Sequence, residues 1–153
     1  MILKLLFRVV ILTATICLLN GEIAAQSFIA TDWSDGSLQL LDSNLLGTSS
    51  FFSGGTMPNG VTTDSSTIYA GHFSSMEVIA FDFNGTEQFR WFDSRLQNLQ
   101  GMALVNGELA VSSDVNADAI LFFDPSDGTF LRSIPSLGST VEGIAFDLSL
   151  IHI

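Results

Sequence analysis

Three polar residues in this 153-residue chain sit where chemistry could happen: Asp32, His72 and Asp114. Each follows a short apolar run and precedes a turn-rich tract. If the runs are equivalent strands, the three side chains occupy equivalent positions around one centre. His72 is a candidate general base. Asp32, Trp33, His72, Phe73 and Asp114 form a candidate ligand surface, with the two aromatic rings available to stack on a sugar or peptide. The tract Asp114-Val-Asn-Ala-Asp118 places Asp114, Asn116 and Asp118 at alternate positions, which suits a hard cation such as calcium. It departs from the calcium-loop pattern, because Ala119 replaces the glycine and Pro125 stands in place of the closing glutamate. The competing reading for all these carboxylates is turn capping, in which Asp and Asn side chains accept from nearby backbone N–H groups. For Trp33 and Phe73 it is packing between structural units.

The elements that would position these residues repeat. Phe28–Asp32, Ile68–His72 and Leu109–Ser113 begin 40 and 41 residues apart. Asp42, Asp82 and Asp124, each closing an apolar run, lie 40 and 42 apart. Gly60, Gly101 and Gly143, each opening a run, lie 41 and 42 apart. Three landmarks keeping one period predict tandem modules of about 40–45 residues, the size of a four-stranded propeller blade. The unit is plainest over Gly101–Phe130, with strands expected at Met102–Val105, Glu108–Ser112 and Ala119–Asp124 and a fourth from about Thr129. Val78–Phe81 and Ile120–Phe123 are unbroken apolar runs, as expected of strands covered on both faces. Asp35-Gly36, Asn84-Gly85, Asn106-Gly107 and Asp127-Gly128 supply hairpin turns.

The chain resembles the NHL and YVTN-type propellers. Gly143-Ile-Ala-Phe-Asp147 resembles their innermost strand and Phe28-Ile-Ala-Thr-Asp32 their second. Val78–Asp82 and Ile120–Asp124 resemble the third, and Asp127–Ile134 the fourth. The resemblance implies an all-β fold of four-stranded antiparallel blades, here an incomplete arc of about three: 26–59 in part, 60–100, 101–142, and the first strand of another at 143–147. It also implies that function sits on the rim built by the loops between second and third strands and by the linkers between blades. Such propellers serve as binding modules, lyases and lactonases, so the fold leaves the activity open.

The ends carry a different signal. Residues 1–25 read as a secretory signal peptide, a helix-forming leader with Lys4 and Arg8, an apolar run to Leu19, and Ala24-Ala25 before the cut. A membrane anchor is the rival reading, but the run is short of the ~20 residues a spanning helix needs. Removal takes away Cys17, the only cysteine, and Lys4, the only lysine. The lost Lys4, Arg8 and Glu22 carry a net +1, so the charge moves from −11 to −12. A secreted, acidic chain of this kind repels nucleic acid and anionic membrane. Its expected partner is a protein or small ligand at the rim. No phosphate loop, zinc spacing or serine-nucleophile elbow is present. Residues Leu148–Ile153 match the translation of a transposon-end adapter, and the chain is read as a fragment of a longer protein. Two functions remain: an extracellular binding or scaffold module, or an extracellular propeller enzyme of lyase or lactonase type with a rim-bound divalent cation.

Overall fold

The computed structural model describes residues 28–64, 66–114, 119–135 and 141–145. The expected leader, Asn116, Asp118 and the adapter-like tail lie outside them.

Among the described residues, eleven strands form three antiparallel sheets, each a meander. The first sheet holds β1 (Phe28–Asp32), β2 (Ser37–Leu41) and β3 (Gly47–Phe52). The second holds β4 (Pro58–Thr63), β5 (Ile68–His72), β6 (Glu77–Phe81) and β7 (Glu87–Phe92). The third holds β8 (Leu99–Val105), β9 (Glu108–Ser113), β10 (Ala119–Phe123) and β11 (Phe130–Pro135). A single 3-10 turn, Ser94–Leu96, links the second sheet to the third. The all-β fold and the four-stranded blade are therefore as expected. The inner strands start earlier than the glycines suggested, at Pro58 and Leu99. A bulge at Asn59 and another at Gln100 carry the ladder past those glycines.

Strand pairing puts the three aligned runs at the same place in their sheets. Phe28 pairs with Leu41, Ile68 with Phe81 and Leu109 with Phe123. β2, β6 and β10 are each followed by an aspartate that closes the next hairpin. Asp42 Oδ1 accepts from the backbone of Asn44 and Leu46, and Asp82 Oδ1 from Asn84 and Thr86. Asp124 Oδ1 accepts from Ser126 in the same way. These carboxylates explain the repeating aspartate. They satisfy backbone donors at a turn that would otherwise leave them bare.

The sheets stack face to face through two apolar seams. Ile29 and Leu38 of the first sheet meet Val61, Ile68, Ile79 and Phe81 of the second. Tyr69, Val78, Ala80 and Trp91 of the second meet the third, where Met102, Leu109 and Phe123 receive them. Alternate residues of β6 thus enter opposite seams, which is why Val78–Phe81 has no polar position. The inner strands lie side by side, β4 against β8. Gly60 and Gly71 make room for Leu99 and Met102, since a β-carbon on Gly60 would sit 2.7 Å from Met102 Cγ. Residues 141–145 form no strand but lie against β8. Gly143 lies so close to Gly101 that a β-carbon there would be 2.9 Å from the Gly143 Cα.

Candidate functional site

The two loop families meet along one edge of the stack. Ser53, which opens the linker from β3 to β4, donates its backbone N–H to Gly36 O in the β1–β2 turn at 2.8 Å. Asp93, which opens the linker from β7 to β8, donates to Met76 O in the β5–β6 turn at 3.1 Å. These are the same bond in successive blades. Gly36 and Met76 both have positive φ, which turns their carbonyls toward the linkers. The expected rim is thus a hydrogen-bonded ledge.

Pairing corrects one expectation about this ledge. Asp32, His72 and Ser113 share a register, because Asp32 pairs with Ser37 and Ser113 follows the Ser112–Ile120 pair. Asp114 lies one residue farther on, in register with Trp33 and Phe73. The slip matters because neighbouring residues on a strand point to opposite faces.

His72 sits beneath the rim. It is fully buried, and its Nε2 lies 3.0 Å from Ser53 Oγ. Gly55 crosses the ring so closely that a β-carbon would be 2.7 Å from Cδ2. Nδ1 has no hydrogen-bond partner among the described residues. Burial holds the imidazole below its ordinary pKa, with the Glu77 carboxylate pulling the other way. Ser113 performs the matching task one blade on, donating its hydroxyl to Gln97 O at 2.7 Å. The fifth positions of β5 and β9 therefore both tether the linker that enters their sheet.

Asp32 is used locally. It accepts from Ser34 N at 2.9 Å and Ser34 Oγ at 2.6 Å, and the Ser34 hydroxyl and backbone hold its carboxyl below the usual range. Trp33 and Phe73 do come together. Their ring centroids are 5.3 Å apart at 48° across the first seam, with Trp33 46% exposed.

A polar chain that the residue types alone did not reveal links the second and third sheets. Asn59 Nδ2 donates to Leu99 O at 3.0 Å and to Gln100 Oε1 at 2.9 Å. Gln100 Nε2 then reaches Asp114 Oδ2 at 3.3 Å. Asp114 Oδ1 is buried without a partner among the described residues. Asn59 and Gln100 are the bulged residues of β4 and β8, so the same irregularity aims both side chains along the inner edge. Their signal in the sequence is a polar residue just before the repeating glycine, and Glu142 holds that place before Gly143. Among the described residues, no group of three or more His, Cys, Asp or Glu side chains could hold a metal ion.

No family model matches the chain, and no curated protein is similar to it. Solved structures are. The crystal structure of Myxococcus xanthus glutaminyl cyclase superposes with a TM-score of 0.65 at 16% identity, over 76% of this chain and 50% of that one. A crystal structure of a mitotic checkpoint complex gives 0.61 at 11% identity, over 78% of this chain and 39% of that one. The chain thus spans half or less of the structures it resembles. At these identities the likeness is one of fold: three antiparallel sheets in a propeller-like array.

Proposed function

We propose that this chain belongs to a secreted, acidic β-propeller of NHL-like type that acts as a binding or scaffold module. Its ligand meets the rim at Trp33 and Phe73. The observation that carries this reading is the Trp33–Phe73 pair, a half-exposed aromatic couple spanning two blades. An exposed indole beside a second aromatic ring suits a ligand with a flat apolar face, such as a sugar ring or an extended peptide. The net charge of −11 disfavours anionic ligands. The test is calorimetric titration of the full chain with panels of oligosaccharides and peptides, repeated on Trp33→Ala. Removing a stacking anchor of this kind weakens binding about tenfold or more. Unchanged affinity in the variant, or no ligand in either panel, counts against the rim.

The alternative is an extracellular lyase or lactonase with a divalent cation. Asp114 Oδ1, buried with no partner among the described residues, favours it. Chelator-sensitive activity separates it from the binding module.

A further inference from the structure

Two rings of the third sheet show how this protein completes an aromatic face. The Arg95 guanidinium carbon lies 3.8 Å from the centroid of the Phe130 ring, and that of Arg132 lies 3.6 Å from the centroid of Phe122. Each guanidinium is also held by a carboxylate: Arg95 donates to Asp93, and Arg132 donates to Glu108. The unit is a ring face, a cation over it, and a carboxylate that fixes the cation there.

The rim at the first seam brings two of these three parts. Trp33 and Phe73 supply the rings, with Trp33 46% exposed. The turn that carries Trp33 also carries Asp32 and Asp35. Successive Cα atoms are 3.8 Å apart, so both acidic residues have their Cα within about 7.6 Å of that of Trp33. That is inside the ~8 Å over which charge acts at physiological salt. The Ser34 hydroxyl and backbone N–H hold the Asp32 carboxyl below its usual range, so it is charged at neutral pH. The cation does not come from the surrounding chain. No lysine or arginine lies between Arg8 and Arg90. His72 is buried, and burial disfavours its charged form. Arg90 itself is paired with Glu77 and Glu87.

Both rings stand on backbone already fixed by hydrogen bonds. Gly36 N donates to Asp32 O at 3.1 Å and Ser37 N to Asp35 Oδ1 at 2.9 Å, which closes the Trp33 turn. Phe73 N donates to Met57 O at 3.0 Å. A ligand therefore meets rings set in place before it arrives.

We propose that this rim takes an arginine side chain of a partner peptide, its guanidinium stacked on the Trp33 indole and Asp32 and Asp35 supplying the opposite charge. The inference rests on the reading of the rim as a binding surface and narrows its ligand to a cationic peptide. A guanidinium suits the place better than an ammonium, because it is planar, more weakly hydrated and stacks on aromatic faces. It is also the group the chain places over Phe122 and Phe130.

The test is calorimetric titration of the full chain with a capped peptide of alternating arginine and glycine. The same peptide with citrulline keeps the shape and loses the charge. The arginine peptide should bind at least about threefold more tightly, and this preference should shrink as salt is raised. Trp33→Leu, which keeps apolar bulk without an aromatic face, should abolish the preference. Asp35→Asn, which retains an oxygen for Ser37 N, should reduce it. Asp127→Asn is the control, since Asp127 Oδ1 accepts from Thr129 N in the same way at a turn of the third sheet. It should leave the preference intact. A preference that survives Trp33→Leu, or that falls equally in the Asp35 and Asp127 variants, is attraction to an acidic surface and overturns the proposal. Equal, Trp33-dependent affinity for the two peptides overturns the cation and leaves the rim as a binding surface. Failure of both peptides to bind overturns the proposal too, and a sugar that still binds through Trp33 would keep the rim reading without it.

Discussion

The Trp91 indole lies flat against the backbone of Gly128 in the following blade, leaving no room for a β-carbon. The contact couples two kinds of constraint. Gly128 needs its φ of +75° to close the turn after Asp124, and it needs its bare Cα to admit the indole. Behind the indole, the Phe123 ring is 4.9 Å away, centroid to centroid, and Phe123 in turn meets Phe130 edge-on. The seam between the second and third sheets is therefore sealed at its outer end by aromatics packed on a turn.

Gly128→Ala should destabilise the chain by about 2–4 kcal/mol, because positive-φ strain and steric overlap act together. Gly107→Ala is the control. Gly107 also has positive φ, at +84°, but nothing lies within 4 Å of a β-carbon there. Its cost should be the backbone term alone, about 1–2 kcal/mol. Urea denaturation followed by tryptophan fluorescence measures both. Equal midpoints for the two variants would show that Trp91 yields without cost.

His72 should make stability depend on pH below the ordinary histidine value of about 6.5. Its buried ring binds a proton less readily in the folded chain than in the unfolded one. The unfolded state therefore takes up more protons as pH falls below the ordinary histidine value, and folding stability drops. Stability is retained above about 6.5. The lowered carboxyl groups of Asp32 and Asp93 act only at lower pH, since their ordinary values lie near 4. Thermal melts of the chain and of His72→Asn at pH 5, 6 and 7.5 provide the check. The slope should flatten in the variant, whatever the variant's absolute stability.

Asn59→Ala should cost about 1–2 kcal/mol, because Leu99 O and Gln100 Oε1 each lose a half-buried donor. The same change should loosen the Gln100–Asp114 contact. Amide hydrogen exchange across β8 and β9 would then rise above that in the parent chain, and unchanged protection would detach the chain of contacts from stability.

Much of the fold is legible in the residues alone. A repeating glycine, a repeating aspartate and unbroken apolar runs reflect local needs: a backbone that must come close, a hairpin that must be capped, a strand buried on two sides. Such needs recur with each copy, so they leave a period. Trp33 and Phe73 were legible as a pair for the same reason, since one register holds them both. His72 was visible as a residue but not as a tether. Burial under Gly55 and the bond to Ser53 depend on a linker 19 residues away, and nothing in the identity of a histidine announces it.

The sequence by itself determined the modules, their strands and the turns between them, because those follow from chain-local sterics and periodicity. The tertiary structure decided which side chains meet. A bulge shifts register by one residue and so exchanges the faces of everything beyond it. That shift carries Asn59 and Gln100 into contact with one another, and Gln100 into contact with Asp114. The distances within the rim belong to the packing of one blade on the next, a property no single repeat contains.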